Sequence, residues 1–431
     1  MHAPELLSPA GTLKSMRYAF AYGADAVYAG QPRYSLRVRN NEFDLPHLAT
    51  GIQEAHQMGK KFLLVSNIAP HNSKIKTYIK DLEPVIALQP DALIMSDPGL
   101  IMMVKEKWPD AEIHLSVQSN VVNYAAVQFW QKMGIRRIIL SRELGLNEIQ
   151  EIRDECPDIE LEVFVHGALC MAYSGRCLLS GYINHRDPNQ GTCTNACRWS
   201  YNATPATTDA FGNVEKQTHV LEQTYVIEQA GREDRGITMT EDEHGTYMLN
   251  SKDLRAIHHV EKFVKMGIHC LKIEGRTKSH FYVARTAQLY RQAIDDALAG
   301  KPFDIKLMDA LEGLSNRGYT EGLLRRHVHD AYQNYEQGTS VSRKQQFVGE
   351  VIDYDPASAL ATIDVKNKFS INDQIELMLP SGNQIFTLNH IENQEGTAMT
   401  VAKGSGHIVK IPVESSDDLQ YGLMMRFLDD Q

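Results

Sequence analysis

The first 275 residues repeat one phrase eight times: a short apolar run, a polar or glycine end, then a stretch with apolar residues at helical spacing. The runs are Glu5–Leu7, Ala26–Ala29, Phe62–Val65, Ala92–Met95, Ile113–Val117, Ile138–Leu140, Leu161–Val165 and Cys270–Ile273. Near-continuous apolar runs are what strands covered on both faces look like, and alternation with helices implies parallel neighbours. The stretches between them, such as Leu13–Tyr22 and Ala125–Met133, carry the amphipathic helical period and close on glycines such as Gly23 and Gly134. An open doubly wound sheet produces the same alternation, so the count of eight decides: the expected fold is α/β, a (β/α)8 barrel.

One unit is abnormal. The seventh run ends near Val165 and the eighth begins near Cys270, leaving about a hundred residues between them. A connection of that length inside a compact domain is functional or holds a subdomain of its own. The expected organisation is therefore a barrel over residues 1–300 with an insertion at about 167–250. A polar linking segment with helical character, 301–344, follows it. From Gln346 the pattern changes to short alternating strands separated by turns, as in FVGEVIDYD and ATIDVKNKFSINDQIELML, which predicts a small β-barrel domain over 345–431.

The formal net charge is −10, which excludes a generally basic nucleic-acid coat but not a local cationic groove. The acidity is uneven, with nine acidic and three basic side chains between residues 201 and 245. No apolar run approaches the roughly 18 residues of a membrane helix, and the opening MHAPELLSPAG has no secretory pattern. The expectation is a cytoplasmic protein with no membrane partner.

The insertion carries the sharpest chemical signal. Four of the six cysteines, Cys170, Cys177, Cys193 and Cys197, fall within 28 residues with the spacing C-x6-C-x15-C-x3-C. In a reducing compartment such a cluster is a metal site rather than a disulfide framework. Four thiolates hold either a tetrahedral zinc or an iron–sulfur cluster. Barrel enzymes keep their chemistry where the strands end. The polar residues expected at that rim include Asn67, Asp97, Gln118, Asn120, Arg142, Glu143, His166, Lys272, Glu274 and Arg276. They are candidates for catalysis (His166, Asn67, Asp97, Glu274) and for substrate binding (Gln118, Asn120, Arg142, Glu143, Lys272, Arg276). There is no G-x-S-x-G elbow, H-E-x-x-H pair or P-loop, which argues against serine hydrolase, zincin and NTPase chemistry.

The run EVFVHGALCMAYSGRCLLSGYINHRDPNQGTCTNACRW, with ELLSPAG near the start and LKIEGR at Leu271–Arg276, resembles the collagenase-like peptidase family over the whole length of the chain. The resemblance implies an enzyme of the branch that hydroxylates RNA. Its product would be 5-hydroxyuridine at the tRNA wobble position, made without molecular oxygen and with prephenate as co-substrate. It implies an iron–sulfur cluster of the four-iron type, and hence a dependence on iron–sulfur assembly machinery. Carried over by position, Cys170 and Cys177 match the family's HGxxC and SGxC cysteines and Cys193 the third. Some relatives place the fourth further downstream, but Ser200–Lys252 holds no cysteine, so Cys197 must serve. On this reading Arg142, Arg276 or Lys272 would bind the carboxylates of prephenate. Arg37, Arg39 and Arg198 would meet the phosphates of the tRNA anticodon region. Two other readings compete: proteolysis, which the family name carries, and an RNA-binding scaffold with structural zinc.

Overall fold

A computed structural model of the chain describes residues 2–36, 41–169, 252–316, 318–325, 344–415 and 418–428, with the backbone of five short strands between 206 and 247. Seven strands alternate with six helices in the N-terminal part. They are β1 (Glu5–Pro9), α1 (Leu13–Ala21), β2 (Ala26–Gly30), α2 (Leu45–Gln57), β3 (Lys61–Ser66), α3 (Asn72–Ile86), β4 (Ala92–Met95), α4 (Pro98–Lys107), β5 (Ile113–Leu115), α5 (Tyr124–Lys132), β6 (Arg137–Ile139), α6 (Leu146–Glu155) and β7 (Glu160–Ala168). Short polar side chains start several of these helices. Thr12, Asp44, Asp97 and Asn123 each accept from the backbone N–H three residues on, satisfying a donor the first turn leaves orphaned.

After the insertion come β8 (Asp253–Arg255), α7 (Val260–Met266), β9 (Cys270–Ile273), α8 (His280–Leu298), α9 (Lys306–Leu311) and β10 (Tyr319–Thr320). Strands β1 to β7 pair in parallel in chain order, and β9 joins β1 on one side and β7 on the other. Eight parallel strands thus close into the expected barrel. The fifth expected run is longer than its strand. Beyond Leu115 the chain curls into a 3-10 turn at Val117–Ser119, with Asn120 at φ 50°. A strand the pattern did not announce, β8, runs antiparallel to the end of β7, with Asp253 opposite Ala168 and Arg255 opposite His166, and β10 pairs with it in turn. Its three residues, DLR, are too few and too polar to show a period. Between residues 206 and 247, the backbone forms short antiparallel strands.

The pairing register fixes which side chains fill the barrel, because residues level with one another point the same way. Cys270 is level with Glu5 and Glu162, Lys272 with Leu7 and Phe164, and Tyr28 with Leu63. One interior layer is therefore charged. Arg137 spans from Glu5 (2.6 Å) to Glu160 (2.8 Å) and approaches Glu162 (3.6 Å), while Lys272 closes on Glu162 at 2.7 Å. Ser8, between the inward Leu7 and Pro9, falls on the outer face by the same parity.

Residues 345–428 form an antiparallel sheet domain with its own core around Phe369, Ile375, Leu377 and Ile411. Its centre is β11 (Gln345–Asp355), β12 (Leu360–Val365), β13 (Gln374–Met378), β14 (Ile408–Pro412) and β15 (Leu423–Phe427), in the order β13-β15-β11-β12-β14. The domain clasps α1 and α8. Glu350 takes Lys14 (2.6 Å) and Tyr18 (2.8 Å), and Arg285 on α8 is buried in a fork on Glu376, which also accepts from Gln345.

Candidate active site at the barrel mouth

The C-terminal strand ends gather a cationic mouth on an aromatic floor. Tyr28 stands on β2 between the small Ala26 and Gly30, and Phe164 stands on β7. The Lys272 ammonium lies 4.3 Å from the Tyr28 ring centre and 5.4 Å from that of Phe164. The guanidinium of Arg142 lies 4.6 Å over Phe164, and that of Arg276 lies 5.7 Å over Tyr28. Two rings thus draw three cations from the loop after β6, from β9 and from the loop after β9 into one place, and the ring faces favour that arrangement. Below them the fully buried Glu162 answers Lys272. Burial pushes its carboxyl up, but Lys272 and then Arg137 prevail and hold it below the ordinary carboxylate range.

The rim is braced from the side. Asn67, just past β3, accepts from the Leu36 backbone N–H (3.1 Å) and donates to Ser116 (3.1 Å) and Gln118 (2.9 Å). Arg276 reaches the Leu36 carbonyl, and Arg142 donates to the Ala168 carbonyl at 2.6 Å. Ser116 bonds Gln118 and Ser141 bonds Glu143, each two residues on. At Gly167, φ is +105° and a Cβ would stand 2.4 Å from the Glu274 carbonyl oxygen. Only glycine lets β7 approach the loop after β9 that closely.

The expected rim residues divide. Asn67, Gln118, Arg142, Glu143, Glu274 and Arg276 stand at the mouth. Lys272 lies one layer down and is committed to Glu162, which is a structural partnership rather than an open ligand contact. Asp97 caps α4 through Leu100 N–H (2.9 Å), and the Asn120 side chain closes its own turn onto the Val117 carbonyl. His166 is 1 % exposed, with Tyr290 3.3 Å from Nδ1 and the rings of Tyr282 and Tyr319 packed beside it. Burial lowers its pKa to about 3, so the imidazole is neutral at physiological pH and is no carrier of charge there. Tyr28, Phe164 and Glu162 are site residues that the rim-based reading passed over. For two of them the signal was present: Tyr28 is the one phenol in the apolar run Ala26–Ala29, and Glu162 the one charge in Leu161–Val165; Phe164 carries no such mark. Cys170, Cys177, Cys193, Cys197, Arg37, Arg39 and Arg198 lie outside the described residues.

Residues 11–334 match the model of peptidase family U32, and residues 343–426 match the model of the family's C-terminal domain. The chain belongs to peptidase family U32. Among U32 relatives, it is 63% identical to "tRNA hydroxylation protein P" of Escherichia coli (strain K12), across 99% of this chain and 97% of the relative. It is 35% identical to the protein of the same name in Helicobacter pylori (strain J99), across 97% of this chain and 93% of the relative. A protein named "Collagenase" from Porphyromonas gingivalis (strain W83) is 26% identical across 95% of this chain and 94% of its own length. The family name and the relatives' names thus point to different chemistries, and the residues at the mouth must arbitrate.

Proposed function

We propose that this U32 chain hydroxylates tRNA, and that it does so on the wobble uridine with prephenate as co-substrate and an iron–sulfur cluster on Cys170, Cys177, Cys193 and Cys197. The observation that carries the reading is the convergence of Arg142, Lys272 and Arg276 on the Tyr28 and Phe164 rings, beside the end of the strand that leads into the four-cysteine segment. A dianionic co-substrate needs such a place. Arginine forks receive carboxylates bidentately, and the desolvated mouth strengthens the attraction. Lys272 adds positive potential from below while Glu162 holds it in place. A uridine buried in an anticodon loop must be turned out of its stack to reach the funnel. Asn67 and Gln118, cross-bonded on the opposite wall, offer amide groups to a base edge. When bound by its thiolates, the cluster supplies electron transfer or Lewis acidity beside that funnel. No helix among the described residues is long and apolar enough to cross a membrane.

Proteolysis finds less support. A peptidase needs a nucleophile beside a base or a metal-bound water. Here His166 faces tyrosines, and Ser116 and Ser141 bond an amide and a carboxylate. The test is mass spectrometry of tRNA nucleosides from cells lacking the protein and complemented with the parent chain or with Arg142→Ala. The hydroxylated uridine should vanish on deletion, return with the parent and fail to return with the variant. Anaerobically purified protein should carry iron and sulfide in stoichiometric amounts. Intact uridine hydroxylation in the deletion strain would refute the assignment, and zinc in place of iron would refute the cluster.

A further inference from the structure

Away from the mouth, two consecutive histidines meet one carboxylate. His258 and His259 lie on the 3-10 turn Ile257–His259 that follows β8, and Glu321 follows β10. Because β10 runs parallel to β8, with Asp253 opposite Tyr319 and Leu254 opposite Thr320, it carries Glu321 alongside that turn. The Nε2 atoms of His258 and His259 lie 3.0 Å and 2.9 Å from the same Glu321 Oε2. The ring centres are 3.9 Å apart, and the three groups' ligand atoms fall within 4.8 Å of one another. His259 is 2 % exposed, and it is the Nε2 atom of each ring that is directed at this one point.

The protonation states suit a cation. Burial drives His259 down to about 4 and lowers His258 as well, in each case against the pull of Glu321. Burial opposes ionisation of Glu321, but hydrogen bonds from Arg325, His258 and His259 bring it to about 2. At neutral pH the cluster is two neutral imidazoles and a carboxylate, the forms in which these side chains ligate metal.

We propose that His258, His259 and Glu321 form a binding site for a divalent first-row metal ion of the zinc class, with further coordination positions left to water. Imidazole and carboxylate are the ligands such ions take, at bonds of about 2.0–2.2 Å, and an ion among the three groups would replace the two hydrogen bonds to Glu321, moving each ring away from the carboxylate by only a few tenths of an ångström. Arg325 is the competitor. Its Nε lies 2.8 Å from the same Oε2, but its side chain is 60% exposed and can swing into solvent. The ion would tie β10 and the turn to β8, and through β8 to the His166–Ala168 end of β7. It would act as a clamp on the strand that borders the mouth. The site stands apart from the tRNA-hydroxylation reading and does not depend on it.

The test is a cobalt(II) titration of the full-length, metal-stripped protein under anaerobic conditions, followed by visible absorption. Cobalt on the cysteines announces itself by a thiolate charge-transfer band in the near ultraviolet, whereas cobalt on imidazole and carboxylate shows only ligand-field bands. The parent should take up one equivalent of the second kind. Glu321→Gln and His259→Ala should weaken that uptake by more than about tenfold and leave the thiolate band unchanged. Arg325→Ala should tighten it, since a rival cation has gone. If Glu321→Gln binds cobalt as the parent does, or Arg325→Ala binds it more weakly, the site is an ion-pair latch and the proposal fails. Should His259→Ala not fold, the isosteric Glu321→Gln and the exposed Arg325→Ala still decide.

Discussion

Replacing Lys272 with methionine tests whether the cationic mouth rests on a buried charge pair. The Lys272 side chain is 4% exposed and that of Glu162 0%, with 2.7 Å between charged atoms. In Lys272→Met, the nearest remaining cation is Arg137, 3.6 Å away and already shared with Glu5 and Glu160. Removing one partner of a buried pair costs about 3–5 kcal/mol, because a desolvated charge is left behind. The residual pull of Arg137 argues for the lower end, about 3 kcal/mol. At about 2–4 °C per kcal/mol for domains of 150–250 residues, thermal unfolding followed by circular dichroism should shift down by about 6–12 °C. Adding Glu162→Gln removes the stranded charge and should recover most of the loss. The pH dependence has a definite sign. The lowered pKa of Glu162 means that its contribution is complete above the ordinary carboxylate range and is lost as pH falls through the lowered value. The gap between parent and Lys272→Met should therefore be widest at neutral pH and close in acid, where a protonated Glu162 needs no cation. A shift under about 2 °C, or a double variant no more stable than the single one, would refute the pairing argument.

Three further outcomes are expected. Loss of a charge-assisted hydrogen bond costs roughly 1.5–3 kcal/mol, so Arg142→Ala and Arg276→Ala should each lower kcat/KM for the proposed carboxylate co-substrate by about 10–150-fold while tRNA binding holds; equal loss of tRNA binding would place the arginines on phosphate instead. Gly167→Ala forces a side chain to φ +105° against the Glu274 carbonyl; it should cost about 1–3 kcal/mol in denaturant unfolding and abolish hydroxylation, and a variant of parental stability would show that the close approach is not required. Burial pushes the Glu350 carboxyl up, but His280, whose Nε2 lies 3.4 Å away, and the hydrogen bonds from Lys14 and Tyr18 outweigh it and bring the pKa down to about 2. Its share of the clasp between the domains is therefore present above the ordinary carboxylate range and fades as pH falls toward about 2, so Glu350→Gln should unfold at a lower temperature than the parent at pH 7 and converge with it in strong acid.

The chain announced its barrel because each strand–helix unit is a local statement. Apolar runs such as FLLV and ALIM must be covered on both faces, and residues such as Thr12, Asp44, Asp97 and Asn123 start helices through bonds only three positions long. The rim residues Asn67, Arg142 and Arg276 were legible for the same reason, since a polar residue ending such a run has only the barrel's end to occupy. Register was not legible. Whether Lys272 serves a ligand or Glu162 depends on which residue of β7 stands level with which residue of β9, and 110 positions separate the pair. Nor could local pattern show that two aromatic rings from β2 and β7 would collect cations from three other places. The short β8, and with it the meeting of His258 and His259 with Glu321, exists only because the closed cylinder offers the end of β7 as an edge to pair with. Local propensity and hydrophobic period are written along the chain, whereas the company a buried charge keeps is set by closure, which brings distant positions to one depth in one ring.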